Sequence, residues 1–474
     1  MARRLYISTY GCQMNVRDSE EVTGLLVEQG YARTDSELTA DVILFNTCSV
    51  REHAEHRVWS NVGALKALKA QRPELVIGVM GCMAKAQRGK IFQRMPHVDF
   101  ISGPSQLYEV PELIEAVYKS RLGVNPDEAD GGCNSVAAAG PIAAIQQKRR
   151  AEFKTIAYHS SPVQAMVTIM EGCDKVCSYC IIPYTRGPEV SRPSEQIVEE
   201  VRRVASEGYR EVMLLGQNVN SYGRKRASAG LPADGLGVGS ARTEVTFAGL
   251  LAEVNKVPGI ERVRFITSHP WDAVEELFDA MRDLEHVCEH LHLPVQSGSD
   301  EVLKRMRRGY TGTEYLEKLV LLRSKVPDVA VTTDLIVGFP GETESDFEAT
   351  TQLVEQARFD SAFIFSYSPR PYAAASRWED DVPADVKDRR LQALLALQER
   401  ISREEAQKQI GQTVQVLVEE PGMGRTRQNR KVYFPEEGAK AGDVVEIKAR
   451  EVRGQSLIGS MVHASTSSAR TVIS

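Results

Sequence analysis

Short apolar runs alternate with amphipathic stretches over the first 120 residues. Four β-branched runs are predicted strands, and helical periodicity lies between them, as in residues 18–29 and 51–69. Strands separated by helices indicate βαβ units, in which neighbouring strands are parallel. We therefore predict an N-terminal parallel-sheet α/β domain over residues 1–120, with the strands LYIST, DVILFNT, LVIGVM and VDFIS.

A second series of strand and helix patterns follows a change in composition. Residues 121–158 are rich in Gly and Ala and are predicted to be a linker. Residues 159–402 then hold six apolar strand candidates, which predict a closed or partly closed parallel (β/α)6 barrel. The glycine-rich residues 222–243 are predicted to be a surface insertion. The six strand candidates are AMVTIM, EVMLL, RVRFIT, HLHLPV, VAVTTDLIV and SAFIFSY.

The end of the chain changes to a period of two. A charged helical pattern over residues 384–409 leads into short alternating strands separated by turn residues. This arrangement predicts a small all-β barrel over residues 403–467. Its predicted strands are VQVLVEE, RKVYF, DVVEIKA and SLIGSMV.

Composition excludes several classes of protein. The 474 residues carry 58 Lys and Arg against 64 Asp and Glu, with 42% hydrophobic and 26% charged residues. These fractions are typical of a globular chain rather than a disordered, collagenous or membrane-spanning one. No apolar run reaches the length of a spanning helix, and the N-terminus has no signal pattern, so we expect a cytoplasmic protein.

The charge is unevenly distributed along the chain. The whole chain has a net charge of −6, but residues 403–474 hold 11 Lys and Arg against 9 Asp and Glu. A basic run beside two aromatic residues can form an RNA-binding surface. The alternative is a solvated edge strand that its charges protect from pairing with other strands. The run consists of Arg425, Arg427, Arg430 and Lys431.

Three cysteines follow the first predicted barrel strand. Cys173, Cys177 and Cys180 lie in GCDKVCSYC, with no fourth cysteine nearby. A tetrahedral zinc site would need another ligand, such as His159, whereas a four-iron cluster on three cysteines keeps one iron open. The spacing of three and then two residues favours an iron-sulfur cluster over zinc.

A second set of three cysteines has a different spacing. Cys12, Cys48 and Cys82 each stand at the C-terminal end of a predicted strand. Parallel strands bring these ends to one edge of the sheet, where open α/β sheets bind ligands. Three isolated core cysteines are the alternative, but the shared position favours a second cluster. We assign no functional role to Cys133 or Cys288.

Several motifs carry a family resemblance. The C-x3-C-x2-C pattern of GCDKVCSYCIIPYTRG resembles the radical S-adenosylmethionine (SAM) enzymes. With GCQMN, NTCSVRE and GCMA added, nearly the whole chain resembles the methylthiotransferases, and most closely their tRNA-modifying branch, through CSVREHAEHRVW, YTRGPEVSRP, HLPVQSGS and FSYSPRP. The resemblance implies a radical-SAM partial (β/α)6 barrel and a C-terminal RNA-binding barrel of the TRAM type.

The resemblance also implies cofactors and site residues. Cys173, Cys177 and Cys180 would hold the 4Fe-4S cluster that cleaves SAM to a radical. Cys12, Cys48 and Cys82 would hold an auxiliary 4Fe-4S cluster that delivers sulfur. The SAM contacts it implies are Gly216, Gln217, Asn218, Gln296, Ser297, Asp334 and Gly338.

Two departures from the family pattern bear on these SAM contacts. Gly216-Gln217-Asn218 stands where the family usually has Gly-Gly-Glu, and the Gly-x-Ile-x-Gly pattern of the fifth strand starts with Asp334 instead of glycine. The glycines alternatively serve only tight turns. Arg186 and Arg192 either meet substrate phosphate or SAM carboxylate or pair with a nearby glutamate.

The implied activity is methylthiolation of carbon 2 of N6-isopentenyladenosine next to a tRNA anticodon. The implied partners are the anticodon stem-loop, an electron donor, and iron-sulfur assembly or sulfur-supply proteins. We expect a monomer without a membrane partner. Two alternatives are methylthiolation of a ribosomal protein aspartate by the sister branch, and a non-catalytic iron-sulfur protein that binds RNA.

Overall fold

The computed structural model describes most of the chain. Of residues 52–54 and 463–464 it describes the backbone alone. Cys133, most of the predicted linker and most of the predicted insertion lie outside the described residues. The described residues are 2–49, 52–122, 140–146, 158–224, 245–436 and 438–464.

The described residues divide into two compact units. The units cross the predicted domain boundaries, because residues 171–189 and 368–376 belong to the first unit and not with the barrel strands around them. The boundaries of the functional domains therefore remain a prediction. The first unit comprises residues 1–160, 171–189 and 368–376, and the second comprises 161–170, 190–367 and 377–474.

A parallel sheet forms the centre of the first unit, as predicted, and it has six strands where four were predicted. Its strands are β1 (Arg4–Tyr10), β2 (Ala32–Arg33), β3 (Val42–Thr47), β4 (Val76–Gly81), β5 (Phe100–Ser102) and β6 (Ile142–Ala144), in the order β2-β1-β3-β4-β5-β6. The helices of this unit are α1 (Gln13–Glu28), α2 (Glu52–Gln71), α3 (Cys82–Gln87), α4 (Gly89–Arg94), α5 (Val110–Arg121) and α6 (Ile182–Thr185).

Helices cover both faces of this sheet. Every residue of β3 and β4 is buried, which explains why these strands are nearly continuous apolar runs. Val22 of α1 and Ile114 of α5 pack in the core on one face. Val62 of α2 and Ile91 of α4 pack in the core on the other face.

Two strands of the sheet were not predicted. Strand β6 lies in the predicted linker, and Ile142 pairs with Phe100 of β5. Strand β2 has two residues and pairs with the start of β1. Both are too short to show a period, so only the neighbouring strand identifies them.

The second unit contains the predicted partial barrel. Its parallel strands follow one another in chain order as two three-stranded sheets, which an isolated bridge between Val263 and Val287 joins. All six strand candidates are confirmed as β7 (Gln164–Thr168), β10 (Glu211–Leu215), β11 (Arg262–Ile266), β12 (His290–His292), β13 (Ala330–Val337) and β14 (Ser361–Ser366).

Helices and short elements complete the barrel. The two-residue strands β8 (Met170–Glu171) and β9 (Val190–Ser191) pair with each other. The short 3-10 helices at Glu37–Thr39 and Pro104–Glu109 belong to the first unit, and those at Val219–Ser221 and Pro270–Asp272 belong to the second. A further 3-10 helix lies at Ala374–Arg377. The helices are α7 (Ser194–Ser206), α8 (Phe247–Asn255), α9 (Glu275–Asp283), α10 (Asp300–Arg305), α11 (Gly312–Lys325), α12 (Glu344–Ala357) and α13 (Ala384–Gln407). None of the helices that the structure describes is long and apolar enough to cross a membrane.

The C-terminal region is a closed five-stranded barrel, which confirms the predicted all-β domain. Its strands are β15 (Thr413–Glu420), β16 (Met423–Thr426), β17 (Lys431–Tyr433), β18 (Val444–Arg453) and β19 (Ser456–Ala464), in the order β15-β16-β17-β19-β18. Only β16 was missed, because it has Gly424 where alternation requires a side chain. A Cβ on Gly424 would lie 2.7 Å from the Val416 side chain, so the close approach of two strands requires this glycine.

Two buried arginines of β11 bind the small barrel to the large one. Arg262 donates to the carbonyl oxygen of Arg425 at 2.7 Å. Arg264 donates to the carbonyl oxygens of Thr426 and Arg427 at 2.6 and 2.7 Å, and it pairs with Glu211 at 3.0 Å. Burial lowers the pKa of Arg262 to about 10. These bonds hold the turn between β16 and β17 by its backbone.

We predict that Arg264→Leu destabilises the second unit. The substitution removes the cationic partner of the buried Glu211 carboxylate and the donor of two carbonyl oxygens, so the free energy of unfolding falls by about 3 kcal/mol. Arg282→Leu is the matched control, because Arg282 forms exposed ion pairs within α9, and we expect it to leave stability unchanged. Urea unfolding checks both variants. Equal losses would mean that the buried arginines do not hold the two barrels together.

Candidate iron-sulfur and SAM sites

The first set of cysteines lies at one edge of the parallel sheet. Cys12 precedes α1, Cys48 follows β3, and Cys82 is the first residue of α3. The strand register aligns these positions, since Tyr10 pairs with Thr47 and Thr47 pairs with Gly81. The predicted convergence of the three strand ends is therefore present in the fold.

Two glycines allow this edge to pack closely. Gly11 has a φ of +151°, and a Cβ there would lie 2.7 Å from the Cβ of Cys48. Gly81 has a φ of +95°, and a Cβ there would lie 2.5 Å from Oδ1 of Asn46 and 2.6 Å from the carbonyl oxygen of Thr47. A side chain at either position would push a cysteine-bearing segment away.

Buried amides lie beneath the cysteines. The side chain of Asn15 donates to Oδ1 of Asn46 at 3.2 Å, and Asn46 donates to the carbonyl oxygen of Asn15 at 2.7 Å. The thiol of Cys12 donates to Oδ1 of Asn15 at 3.4 Å. Both amides are almost fully buried, so this reciprocal pair fixes α1 against β3.

The surroundings of Cys82 join the two cysteine sets. Helix α3, which begins at Cys82, packs against α6, which begins two residues after Cys180. Between them the guanidinium of Arg186 pairs with Asp18 of α1 at 2.5 Å, and both side chains are buried. Burial acts to lower the pKa of Arg186, but the charges of Asp18, Cys82 and Glu171 outweigh it and raise the pKa.

A second buried cation lies near Cys82. Lys85 is 1% exposed, and its Nζ has no hydrogen-bond partner among the described residues. Burial and then the charge of Arg88 lower the pKa of Lys85, while the Cys82 thiol raises it. Arg186 also lowers the pKa of the buried Cys82, which burial itself raises. An anionic thiolate-bound cluster fits this positive environment.

The second set of cysteines lies on a tight loop. The amide of Cys180 donates to the carbonyl oxygen of Cys177 at 3.1 Å, and the amide of Cys173 donates to that of Gly187 at 3.2 Å. The amide of Ile182 points at Sγ of Cys180 at 3.4 Å. Burial raises the pKa of Cys173 to about 12, so binding a metal would release its proton.

Both sets suit clusters better than a single metal ion. All six cysteines are free thiols. Within the described ranges, no three His, Cys, Asp or Glu side chains converge closely enough to hold one metal ion. A four-iron cluster binds each thiolate through a different iron atom, so it accepts ligands that are farther apart.

Four buried side-chain oxygens belong to residues at or just after the carboxyl ends of three barrel strands. They belong to Thr168 at the end of β7, Gln217 and Asn218 after β10, and Ser268 after β11. None of these oxygens has a hydrogen-bond partner among the described residues. Unpaired buried acceptors of this kind fit a polar ligand such as SAM.

The other predicted SAM residues have partners within the protein. Gln296 has a φ of +77°, and its amide donates to the carbonyl oxygen of Asp334 at 2.9 Å. Ser297 shares a hydrogen bond with Thr350 at 3.1 Å. The amide of Gly338, at a φ of +68°, donates to Glu342 at 2.8 Å.

Packing and pairing also constrain three further predicted positions. A Cβ on Gly216 would lie 2.5 Å from Met170, so this glycine serves close packing. The amide nitrogen of Asn218 donates to Asp272 at 2.7 Å. The carboxylate of Asp334 lies 3.6 Å from His292, and about a third of its side chain is exposed.

The structure decides between the alternatives for the two arginines near the cluster loop. Arg192 is buried and pairs with Glu200, and it also donates to the carbonyl oxygen of Thr168 at 3.2 Å. Arg186 pairs with Asp18, an aspartate from a different part of the chain. Both arginines therefore form ion pairs within the protein.

The basic run of the small barrel is only partly open to a partner. Arg427 pairs with Glu289 at 2.7 Å, and the buried Arg430 pairs with Asp360 at 2.8 Å, both on the large barrel. Arg425 is partly exposed and pairs with Glu419 at 3.1 Å. The ammonium of Lys431 lies 5.1 Å from the centre of the Tyr433 ring.

Sequence reasoning missed several residues that build these sites. Asn15 and Asn46 belong to the motifs GCQMN and NTCSVRE, but no role was derived for them. Asp18, Thr168 and Ser268 carry no motif. Asp18 lies six residues after Cys12 in the sequence, and no pattern in the sequence indicates that Arg186 pairs with it.

Three family models match consecutive parts of the chain. Residues 4–103 match a family described as Uncharacterized protein family UPF0004. Residues 167–354 match the Radical SAM superfamily, and residues 407–462 match the TRAM domain. The protein is thus a radical SAM protein with a cysteine-bearing N-terminal domain and a TRAM barrel.

Curated relatives identify the family within this class. The chain is 44% identical over 473 residues to the tRNA-2-methylthio-N(6)-dimethylallyladenosine synthase of Acetivibrio thermocellus, covering 97% of this chain and 91% of the relative. It is 41% identical over 470 residues to the synthase of the same name from Syntrophotalea carbinolica, covering 97% and 100%. The chain belongs to the tRNA-2-methylthio-N(6)-dimethylallyladenosine synthase family. The predicted cofactors, two 4Fe-4S clusters and SAM, are confirmed by this membership.

A solved structure shares the fold. The radical S-adenosylmethionine methyltransferase TsrM from Kitasatospora setae, solved with cobalamin and a [4Fe-4S] cluster bound, matches with a TM-score of 0.54. The match covers 79% of this chain and 77% of that chain at 14% identity. This similarity shows a common fold and confirms the predicted architecture of the barrel.

We predict that Gly81→Ala removes one of the two clusters. The added Cβ collides with Asn46 and Thr47, so Cys82 moves away from the other two cysteines, and bound iron falls from about eight to about four atoms per chain. Gly63→Ala on α2 is the matched control, because a Cβ there meets nothing within 4 Å, and we expect it to keep all the iron. Iron analysis of anaerobically purified protein checks both variants. Full iron in Gly81→Ala would show that the close approach is unnecessary.

Proposed function

We propose that this protein adds a methylthio group to carbon 2 of N6-isopentenyladenosine next to a tRNA anticodon. The observation that carries the proposal is the packing of α3 against α6, which brings the segments of both cysteine sets into one compact unit. Two cluster sites joined in this way suit a reaction that needs a radical and a sulfur donor together. The names of the curated relatives support tRNA as the substrate.

The protein's own part is to hold and orient the groups. Cys173, Cys177 and Cys180 would hold one cluster, and Cys12, Cys48 and Cys82 would hold the other. Bound there, the clusters and SAM supply the deoxyadenosyl radical, the sulfur atom and the methyl group. The ion pair between Arg186 and Asp18 keeps the two cysteine-bearing segments in place during turnover.

The barrel supplies polar groups for SAM. The unpaired oxygens of Thr168, Gln217, Asn218 and Ser268 are acceptors for its amino and ribose hydroxyl groups. The carboxylate of Asp272 accepts from the side-chain nitrogen of Asn218. Oδ1 of Asn218 therefore stays directed away from that carboxylate.

The TRAM barrel is proposed to contact the RNA. Arg425 and Lys431 carry this proposal, because the guanidiniums of Arg427 and Arg430 are already engaged with the large barrel. Lys431 lies near the exposed ring of Tyr433, which offers a stacking surface. Arg427 and Arg430 would then hold the RNA-binding turn in position.

Other partners follow from the chemistry. Reductive cleavage of SAM needs an electron donor, and consumption of cluster sulfur needs iron-sulfur assembly or sulfur-supply proteins. We propose that the protein acts as a monomer in the cytoplasm, where tRNA and these partners are present.

We predict that variants of the two cysteine sets separate the two halves of the reaction. Cys173→Ala should abolish cleavage of SAM, whereas Cys82→Ala should retain cleavage and lose the methylthio product. Cys288→Ala, a buried cysteine outside both sets, serves as the control and should retain both. Mass spectrometry of deoxyadenosine and of the RNA nucleosides checks these outcomes. A methylthio product from Cys82→Ala would contradict the proposed role of the auxiliary cluster.

We predict that Arg425→Ala/Lys431→Ala weakens tRNA binding and flattens its salt dependence. The slope of the logarithm of the association constant against the logarithm of the salt concentration is negative, and loss of two phosphate contacts should reduce its magnitude by about 1.5. The control is Arg202→Ala/Lys256→Ala, which removes the same charge from exposed helix pairs. Titrations at several salt concentrations check the slope. Equal slopes for the two double variants would remove the TRAM barrel surface from the proposed interface.

A further inference from the structure

Two tyrosines and an arginine form a stack in the first unit. The rings of Tyr184 and Tyr372 are parallel within 13°, with their centres 3.8 Å apart. The guanidinium carbon of Arg88 lies 5.3 Å from the centre of the Tyr184 ring and 5.8 Å from that of Tyr372. Tyr372 is 52% exposed, so part of this stack is open to solvent.

The stack connects the segments that carry the two cysteine sets. Arg88 directly follows α3, which begins at Cys82, and Tyr184 lies on α6, four residues after Cys180. Tyr372 belongs to residues 368–376, which are part of the same compact unit. A group bound on Tyr372 would therefore be held by the elements that position both sets.

Two of the three residues have unfavourable backbone conformations. Arg88 has a φ of +42° and a ψ of −125°, and it separates α3 from α4. Tyr372 has a φ of +70°. Bulky residues seldom adopt positive φ, and such strain concentrates at ligand-binding positions. Here it places the guanidinium beside the rings and exposes the second tyrosine.

Residues 368–376 have an attachment to the rest of the unit besides the ring stack. The amide of Ala375 donates to the carbonyl oxygen of Ser178 at 2.7 Å, so a backbone bond already joins this segment to the cysteine loop. Tyr372 also keeps about half of its surface exposed, so a ligand can reach it.

The chemistry of the stack selects a nucleobase. Unpaired bases stack on tyrosine rings and on guanidinium planes, and a guanidinium also pairs with phosphate. We propose that Tyr372, supported by Tyr184 and Arg88, is the platform on which an unpaired base of the substrate RNA stacks. This inference rests on the proposed function.

The first test measures stacking directly in the unmodified protein. A set of anticodon stem-loop RNAs is prepared, each with N6-isopentenyladenosine and with 2-aminopurine at one of the remaining unpaired loop positions. Each RNA is bound to protein that holds both clusters. Stacking on the platform should quench 2-aminopurine at one position, and Tyr372→Leu should abolish that quenching. If no position is quenched by the unmodified protein, the platform is overturned.

The second test uses variants of the stack. Tyr372→Leu should raise the Kd and KM for this RNA about tenfold, and Tyr372→Phe should restore both values, because the ring and not the hydroxyl makes the contact. Tyr118→Leu is the control, since Tyr118 forms another tyrosine and arginine pair, with Arg3, in the same unit. We expect it to bind RNA normally.

The outcomes separate this inference from the function on which it rests. If the unmodified protein forms no methylthio product, the proposed function fails. If it forms product while Tyr372→Leu binds RNA as tightly as Tyr372→Phe, only the platform fails. Iron content and circular dichroism show whether Tyr372→Leu folds, and if it does not, the quenching measured with the unmodified protein decides.

Discussion

The buried ion pair between Arg186 and Asp18 is the interaction on which the candidate site depends. It joins α1, which begins after Cys12, to the loop that carries Cys173, Cys177 and Cys180. A charge removed from water is stable only with a well-placed partner, so neither side chain tolerates the absence of the other. The ion pair therefore holds the two cysteine-bearing segments in a defined position relative to each other.

The sheet and the amides extend this constraint. The parallel register aligns the ends of β1, β3 and β4, and the glycines before Cys12 and Cys82 allow these ends to pack closely. Asn15 and Asn46 then satisfy the buried polar groups beneath the cysteines. Backbone geometry, packing and hydrogen bonding thus act together to place the same three thiols.

A second polar network organises the other end of the chain. Arg262 and Arg264 hold the backbone of the small barrel, while Arg427 and Arg430 reach back to acids of the large one. The basic run therefore has two roles: some of its charges orient the TRAM barrel and others stay available to a partner. In both networks, buried arginines determine how parts of the chain that are distant in sequence meet.

The sequence by itself determined the class of fold, the six cluster cysteines as candidates and the order of the domains. Apolar periodicity is a local property, so it identified the six strands of the large barrel and four of the five strands of the small one. Strands β2, β6 and β16 are too short or too glycine-rich to show a period. They form only because a neighbouring strand supplies their hydrogen bonds.

Only the tertiary structure decided which charged and aromatic residues meet. Arg186 and Asp18 are 168 positions apart in the chain, and Arg427 and Glu289 are 138 apart. No periodicity extends over such separations, so the sequence left open whether Arg186, Arg192, Arg427 and Arg430 bind an anionic partner, and the structure pairs each of them with a carboxylate of the protein. The same reason applies to Arg88, Tyr184 and Tyr372: spacing in the sequence determines which residues share a face, and packing determines which faces come together.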